Sequence, residues 1–295
     1  MNRLTADLAL LLSAAVWGTA FLFQKSALEH VGPLTFVAAR CAIAAAVLAP
    51  AAWLESRDPA RPADRPLLMI AMWAGVAFFL GAWLQQSGLA TATVTNGSFL
   101  TALYVIITPF IAWVWNGRAP SAAVWPAVAL SAAGTWLLGG GTLGAFSAGD
   151  GLIAASAVLW AAHVVISGQA APFGRPITFT ALQFTVVAML AGTAATALET
   201  PALSGLVAAR IELAYVGLLS SALTFTLLTV ALQHTPPSEA AVIVSLETVF
   251  AALAGYIVLG ERLSVAGFTG AGLILLAILC IQIGPGLAGR RRPSP

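Results

Sequence analysis

Ten long apolar runs decide what this chain can fold into. They fall near residues 6–29, 34–54, 66–88, 92–116, 121–140, 149–170, 176–198, 210–232, 237–259 and 264–284. A run of about 20 apolar residues crosses the hydrocarbon core of a bilayer as an α-helix. Lipid accepts only helices and closed barrels, because every backbone polar group there must be bonded within the protein. A barrel would show short alternating segments instead of continuous runs. Only 8% of the residues are charged, against about 25% in soluble domains. The expected fold is therefore an all-α polytopic membrane protein with ten transmembrane helices. Trp17, Phe21 and Phe23 carry the first run past the length of a secretory signal core, so it is kept as a helix.

Basic residues orient the helices, since Lys and Arg collect in cytoplasmic loops. With the N-terminus inside, Arg3, Arg57, Arg61, Arg65, Arg118, Arg175, Arg290, Arg291 and Arg292 share one side, and only Arg210 and Arg262 lie on the other. Lys25 and Arg40 fall within spans. Both termini are expected in the cytoplasm. The basic tail then reads as a topology signal and a contact for anionic lipid, and not as a nucleic-acid patch. Cys41 and Cys280 also lie within spans and suggest no metal site, and no cofactor is implied.

The chain repeats itself at an offset of 143. Trp160 follows Trp17 at that distance, as do Asp150 and Asp7, Ser156 and Ser13, Pro176 and Pro33, Thr178 and Thr35, Phe179 and Phe36, and Gly260 and Gly117. The glycine-rich stretch 138–149 separates the copies, so the domains are expected at 1–143 and 144–295. Five helices per copy is an odd number, and the second copy must cross the membrane in the opposite sense. That is the inverted-repeat plan of secondary transporters, which bind substrate between the repeats.

Residues 93–109 carry a polar stripe on an otherwise apolar helix. Thr93, Gly97, Thr101, Tyr104 and Thr108 stack on one face with Asn96 at its edge, and Pro109 is placed to kink the helix just beyond. The offset carries Tyr104 onto Glu247. Helix one adds Trp17, Ala20 and Gln24, answered by Trp160, His163 and Ser167 in helix six. Helix three adds Phe79, Trp83 and Gln86, answered by Ala222, Thr226 and Thr229 in helix eight. Helices one, three, four, six, eight and nine are thus expected to line a cavity. Helices two, five, seven and ten are left as scaffold, lipid contact or dimer surface.

Each candidate has a bland reading beside the functional one. Glu247 suits a substrate ammonium or a proton, or else a bond to a neighbouring helix. His163 suits a proton relay or helix packing. Asn96, Thr101 and Tyr104 suit cavity donors or interhelical bonds. Trp17 and Trp160, with Phe79 and Trp83, suit stacking on a substrate ring or filling space. Arg40 is expected to snorkel toward the outer face, with a substrate carboxylate as the lesser alternative. Gly267, Gly270 and Gly272 are read as a close-packing stripe, between protomers or within one.

The stretches AAVWGTAF, PLTFVAARCAIAA, GSFLTALYVIITPFIAWV and LETVFAALAGYIVLGERLS resemble, in their order, the EamA-type drug/metabolite transporters, with the YddG-type exporters of aromatic amino acids as the subgroup. The resemblance implies ten helices in two repeats, a bacterial inner membrane and export of small metabolites. Thr248 stands where the family has Pro after the helix-nine Glu, and Arg118 stands opposite Glu261. The expected function is alternating-access export of an amino acid or similar amphipathic metabolite by a monomer or homodimer. Trp17, Phe79, Trp83, Asn96, Thr101, Tyr104, Trp160, His163 and Glu247 would form the substrate site. Efflux of cationic drugs through the same cavity is the alternative. No zinc-type His-Glu pattern, Cys nucleophile or carboxylate pair supports an enzyme.

Overall fold

The computed structural model describes residues 2–57, 65–117, 119–138, 147–259 and 264–289. Most of the inner loop, Arg118, the core of the central linker, the turn holding Gly260, Glu261 and Arg262, and the basic tail lie outside the described residues, with the expectations placed on them. The helices in the first half are α1 (Arg3–Ala27), α2 (Pro33–Ser56), α3 (Arg65–Leu89), α4 (Val94–Thr101), α5 (Tyr104–Asn116) and α6 (Val124–Leu138). The second half holds α7 (Ala148–Gly168), α8 (Pro176–Leu198), α9 (Leu203–Ala208), α10 (Arg210–Ala214), α11 (Thr224–Ala231), α12 (Pro237–Val244), α13 (Glu247–Leu259) and α14 (Val265–Gly289). Among the described residues, eight helical runs are long and apolar enough to cross a bilayer, and Val124–Leu137 and Val265–Cys280 are shorter apolar helices.

Helix starts follow from local chemistry. Asn2 accepts the Thr5 amide at 2.9 Å while Thr5 bonds back, and Ser147 and Asp150 build the same reciprocal cap on α7. Pro33 and Pro176 open α2 and α8, where a missing amide proton is harmless. Gly117 ends α5 in the left-handed region (φ 65°), its amide bonded to the Trp113 carbonyl.

Val94–Asn116 and Pro237–Val258, the runs expected as fourth and ninth spans, are each broken in two, at positions related by the sequence offset. Thr101 and Val244 end the first pieces; Tyr104 and Glu247 begin the second. Both breaks tighten into i→i−3 bonds. Leu103 donates to Leu100 and Leu246 to Ile243, each at 3.3 Å, and Val105 to Ala102 (3.0 Å) parallels Thr248 to Ser245 (3.1 Å). Such turns shorten the local rise and redirect the chain. Pro109 sits inside α5, and the turns that break the span lie upstream of it. The break in the ninth span forms without proline. There the hydroxyls of Ser245 and Thr248 bond back to the Val242 and Ser245 carbonyls.

The two halves lock together through α2 and α8. Glu199, at the end of α8, accepts the amides of Leu34 and Thr35 at 2.8 and 2.9 Å and the Thr35 hydroxyl at 2.6 Å. Glu55, near the end of α2, accepts the Thr178 amide at 2.6 Å and its hydroxyl at 2.7 Å. Each helix start is thus capped by a carboxylate on the other helix, which fixes the pair antiparallel and meets the positive end of both dipoles.

One span departs from the repeat. Tyr215–Leu223 is π-helical between α10 and α11, where a regular helix is expected and where α3 is regular. The core between the halves is aromatic. Phe78, Phe184 and Phe225 pack edge to face with centroids 4.9 to 5.6 Å apart.

Candidate functional site

A cavity of about 70 Å³ lies where the two broken spans meet α1 and α7. A water needs about 10–15 Å³ by this measure, so it holds a few. Trp17, Phe21 and Gln24 of α1 face Trp160, His163 and Val164 of α7 across it. The breaks add Thr101 and Tyr104 from one half, and Val244 and Glu247 from the other. Gln85 of α3 and Ser220, Phe225 and Leu228 of the eighth span close the sides. All six helices expected to line a cavity do so.

Of the nine candidate residues, Trp17, Thr101, Tyr104, Trp160, His163 and Glu247 line the chamber. Phe79, Trp83 and Asn96 lie outside its lining. Phe79 and Trp83 stack on each other, centroids 6.0 Å apart, on a neighbouring face of α3. Phe78, one position earlier and so about 100° around the helix, packs against Trp160 (5.0 Å) and His163 (5.4 Å) instead. Asn96 sits in the first turn of α4, where Thr93 is the cap, and its side chain reaches Asp150 at 3.4 Å. The stripe over residues 93–109 therefore serves a helix start at one end and the chamber only beyond it.

The charged groups are arranged as follows. Tyr104 and Glu247, equivalent in the two repeats, both line the chamber, and Oε1 of the Glu247 carboxyl is buried without a partner. Gly18 lets α1 approach this point: a Cβ there would lie 2.5 Å from the Glu247 carbonyl oxygen. His163 Nε2 meets Gln183 Oε1 at 2.9 Å and Ser167 at 3.3 Å, leaving Nδ1 unpartnered. Trp17 donates its indole N–H to the Ser220 carbonyl at 2.9 Å, inside the π-helical stretch. The equivalent Nε1 of Trp160 has no partner.

Arg40 is the correction with most chemistry in it. It does not snorkel: it is 3% exposed and lines the chamber, making helix two a wall as well as scaffold. Its guanidinium carbon stands 5.5 and 5.9 Å from the Phe78 and Phe36 ring centres, and Nε and Nη2 have no hydrogen-bond partner. The offset that exposes its role places Gln183 at the matching site in α8. Lys25, by contrast, binds the Leu89, Ala90 and Ala92 carbonyls at the end of α3, where a cation meets the negative helix terminus. Gly134 of α6 lets this stripe pack within the chain, since a Cβ there would lie 2.6 Å from the Gly270 carbonyl oxygen, while Gly272 faces open space.

The profile of the EamA-like transporter family matches residues 4–140 and again 147–283. The chain belongs to that family. Both bounds of the second match are displaced from the first by the offset already seen in the sequence, so this EamA-family transporter carries the two-repeat fold. It is a transporter, not an enzyme. It is 30% identical to an uncharacterized transporter of Archaeoglobus fulgidus over 96% of this chain and 87% of that one. It is 26% identical to the uncharacterized transporter YwfM of Bacillus subtilis, over 95% and 94% of the two chains. A solved crystal structure superposes with a TM-score of 0.77 over 99% of this chain and 100% of that one, at 18% identity, a likeness of fold alone.

Proposed function

We propose that this transporter exports small amphipathic metabolites, amino acids with large apolar or aromatic side chains foremost, by rocking its two repeats about the chamber. The observation that carries this reading is a single cavity lined from both repeats by aromatic rings and unpartnered polar atoms. A chamber of this size admits an aromatic amino acid once the halves part, as alternating access requires. Ten spans, in two units meeting between residues 143 and 144 and crossing in opposite senses, complete the proposal. The location is the bacterial inner membrane with both termini cytoplasmic, in keeping with the distribution of arginines. Monomer and homodimer both agree with the apolar outer faces.

Efflux from proteoliposomes loaded with labelled phenylalanine tests the reading. Saturable efflux that falls at least about tenfold in Trp160→Ala supports it, a loss of the size a buried aromatic contact carries. Non-saturating flux, or flux indifferent to Trp160→Ala and Glu247→Gln, overturns it. The aromatic walls and the Glu247 carboxyl also suit an organic cation, and competition by a quaternary ammonium compound separates that reading.

A further inference from the structure

We propose that the chamber selects a zwitterion: Arg40 takes the carboxylate of an α-amino acid, Glu247 takes its ammonium group, and the indoles of Trp17 and Trp160 flank its side chain. This rests on the carrier reading above and narrows its substrate to one charge pattern.

Three observations converge on it. Arg40 and Glu247 line the same chamber yet do not pair with each other; among the described residues, ion pairs join only Arg3 to Asp7 and Arg3 to Glu239. Each leaves buried hydrogen-bonding atoms unused, Nε and Nη2 on the guanidinium and Oε1 on the carboxyl. The two groups also come from opposite halves. At the positions the repeat makes equivalent, Arg40 answers to Gln183 and Glu247 to Tyr104, so a duplicated frame carries one cationic and one anionic substitution.

Charge withdrawn from water and left uncompensated is strongly unfavourable, and a ligand that supplies both missing partners gains most by binding. An organic cation would answer Glu247 and be repelled by Arg40. An organic anion would do the reverse. A zwitterion carries the complement of both. Phe78 and Phe36 pack on the guanidinium through their rings, and Nε and Nη2 stay free for a carboxylate. The unpartnered Trp160 Nε1 adds a donor to the same wall.

Binding of phenylalanine, phenethylamine and 3-phenylpropionate to the purified full-length protein, by titration calorimetry, tests the proposal. Leucine runs alongside with its amine and acid counterparts. The parent protein is expected to bind each amino acid at least about tenfold more tightly than its amine or acid, the step that one lost charged contact makes. Arg40→Gln should weaken phenylalanine to the level of phenethylamine or below, while phenethylamine binds at least as tightly as to the parent, which also shows that the variant is folded. Glu247→Gln should do the same toward 3-phenylpropionate. The ranking in the parent protein needs no variant: binding phenethylamine or 3-phenylpropionate as tightly as phenylalanine, or binding none of them, overturns the proposal. Saturable, Trp160-dependent transport of an organic cation without preference for zwitterions would overturn it while leaving the carrier in place. Flux indifferent to Trp160→Ala and Glu247→Gln removes the carrier as well.

Discussion

The two repeats share a backbone and differ in their chemistry. Both break their fourth span at matching residues, with matching i→i−3 bonds, and both cap the other's second helix with a glutamate. Within that common frame, Tyr104 corresponds to Glu247, Arg40 corresponds to Gln183, and the bonded indole of Trp17 corresponds to the unbonded one of Trp160. Gln183 has become a partner of His163, whereas Arg40 makes no hydrogen bond through Nε or Nη2. The contrast separates two kinds of position. Apart from the two tryptophans, the kept positions hold or bend helices, whereas Arg40, Tyr104 and Glu247, which diverged from their counterparts, face the chamber.

Making the halves alike should therefore do the most harm to transport. Glu247→Tyr is expected to lower efflux of phenylalanine from proteoliposomes by at least about thirtyfold, the lower end of what losing one buried charge partner does. Rates within threefold of the parent would mean that the divergence is idle. Packing at the crossing of α1 comes next. Gly18→Val should destabilise the protein by about 1–3 kcal/mol through overpacking against the Glu247 carbonyl, read as a lower apparent Tm in detergent. The capping glutamates follow. Glu55→Gln and Glu199→Gln should each cost about 0.5–2 kcal/mol, and similar amounts, in the same assay. A large effect of one with none of the other would break the equivalence of the two halves. The smallest effect is expected at the tryptophans. Trp17→Phe loses its bond to Ser220 and about 1 kcal/mol of stability. Trp160→Phe leaves the Tm unchanged and shows itself only in weaker substrate binding.

Much of this frame is legible in the residues alone. The spacing of Trp17 and Trp160 and of Thr35 and Thr178 yields the offset, and the offset alone pairs Tyr104 with Glu247 before any geometry is known. The breaks are harder to see, because glycine and proline do not mark them: they are built from short-range backbone turns and serine and threonine hydroxyls, at Thr248 even in place of a proline. Helix three misleads for another reason. Its sequence is apolar all round, so no contrast distinguishes the face of Phe78 from that of Phe79 and Trp83. Asn96 shares a helical face with Tyr104, but a position in the first turn gives a side chain a cap to serve. Arg40 is ambiguous in any sequence, since a long basic side chain in a span can reach for the interface or turn inward. Only its burial beside Phe78 decides it.

The exchanged glutamates of α2 and α8 bear on ancestry and engineering. A fragment holding one half would begin its second helix with bare amides, because the carboxylate that closes them resides on the missing piece. Two fragments severed at the central linker should therefore be recovered from membranes only when made together. By the same logic, a primordial gene encoding one such unit would have needed a twin molecule before either copy could finish folding.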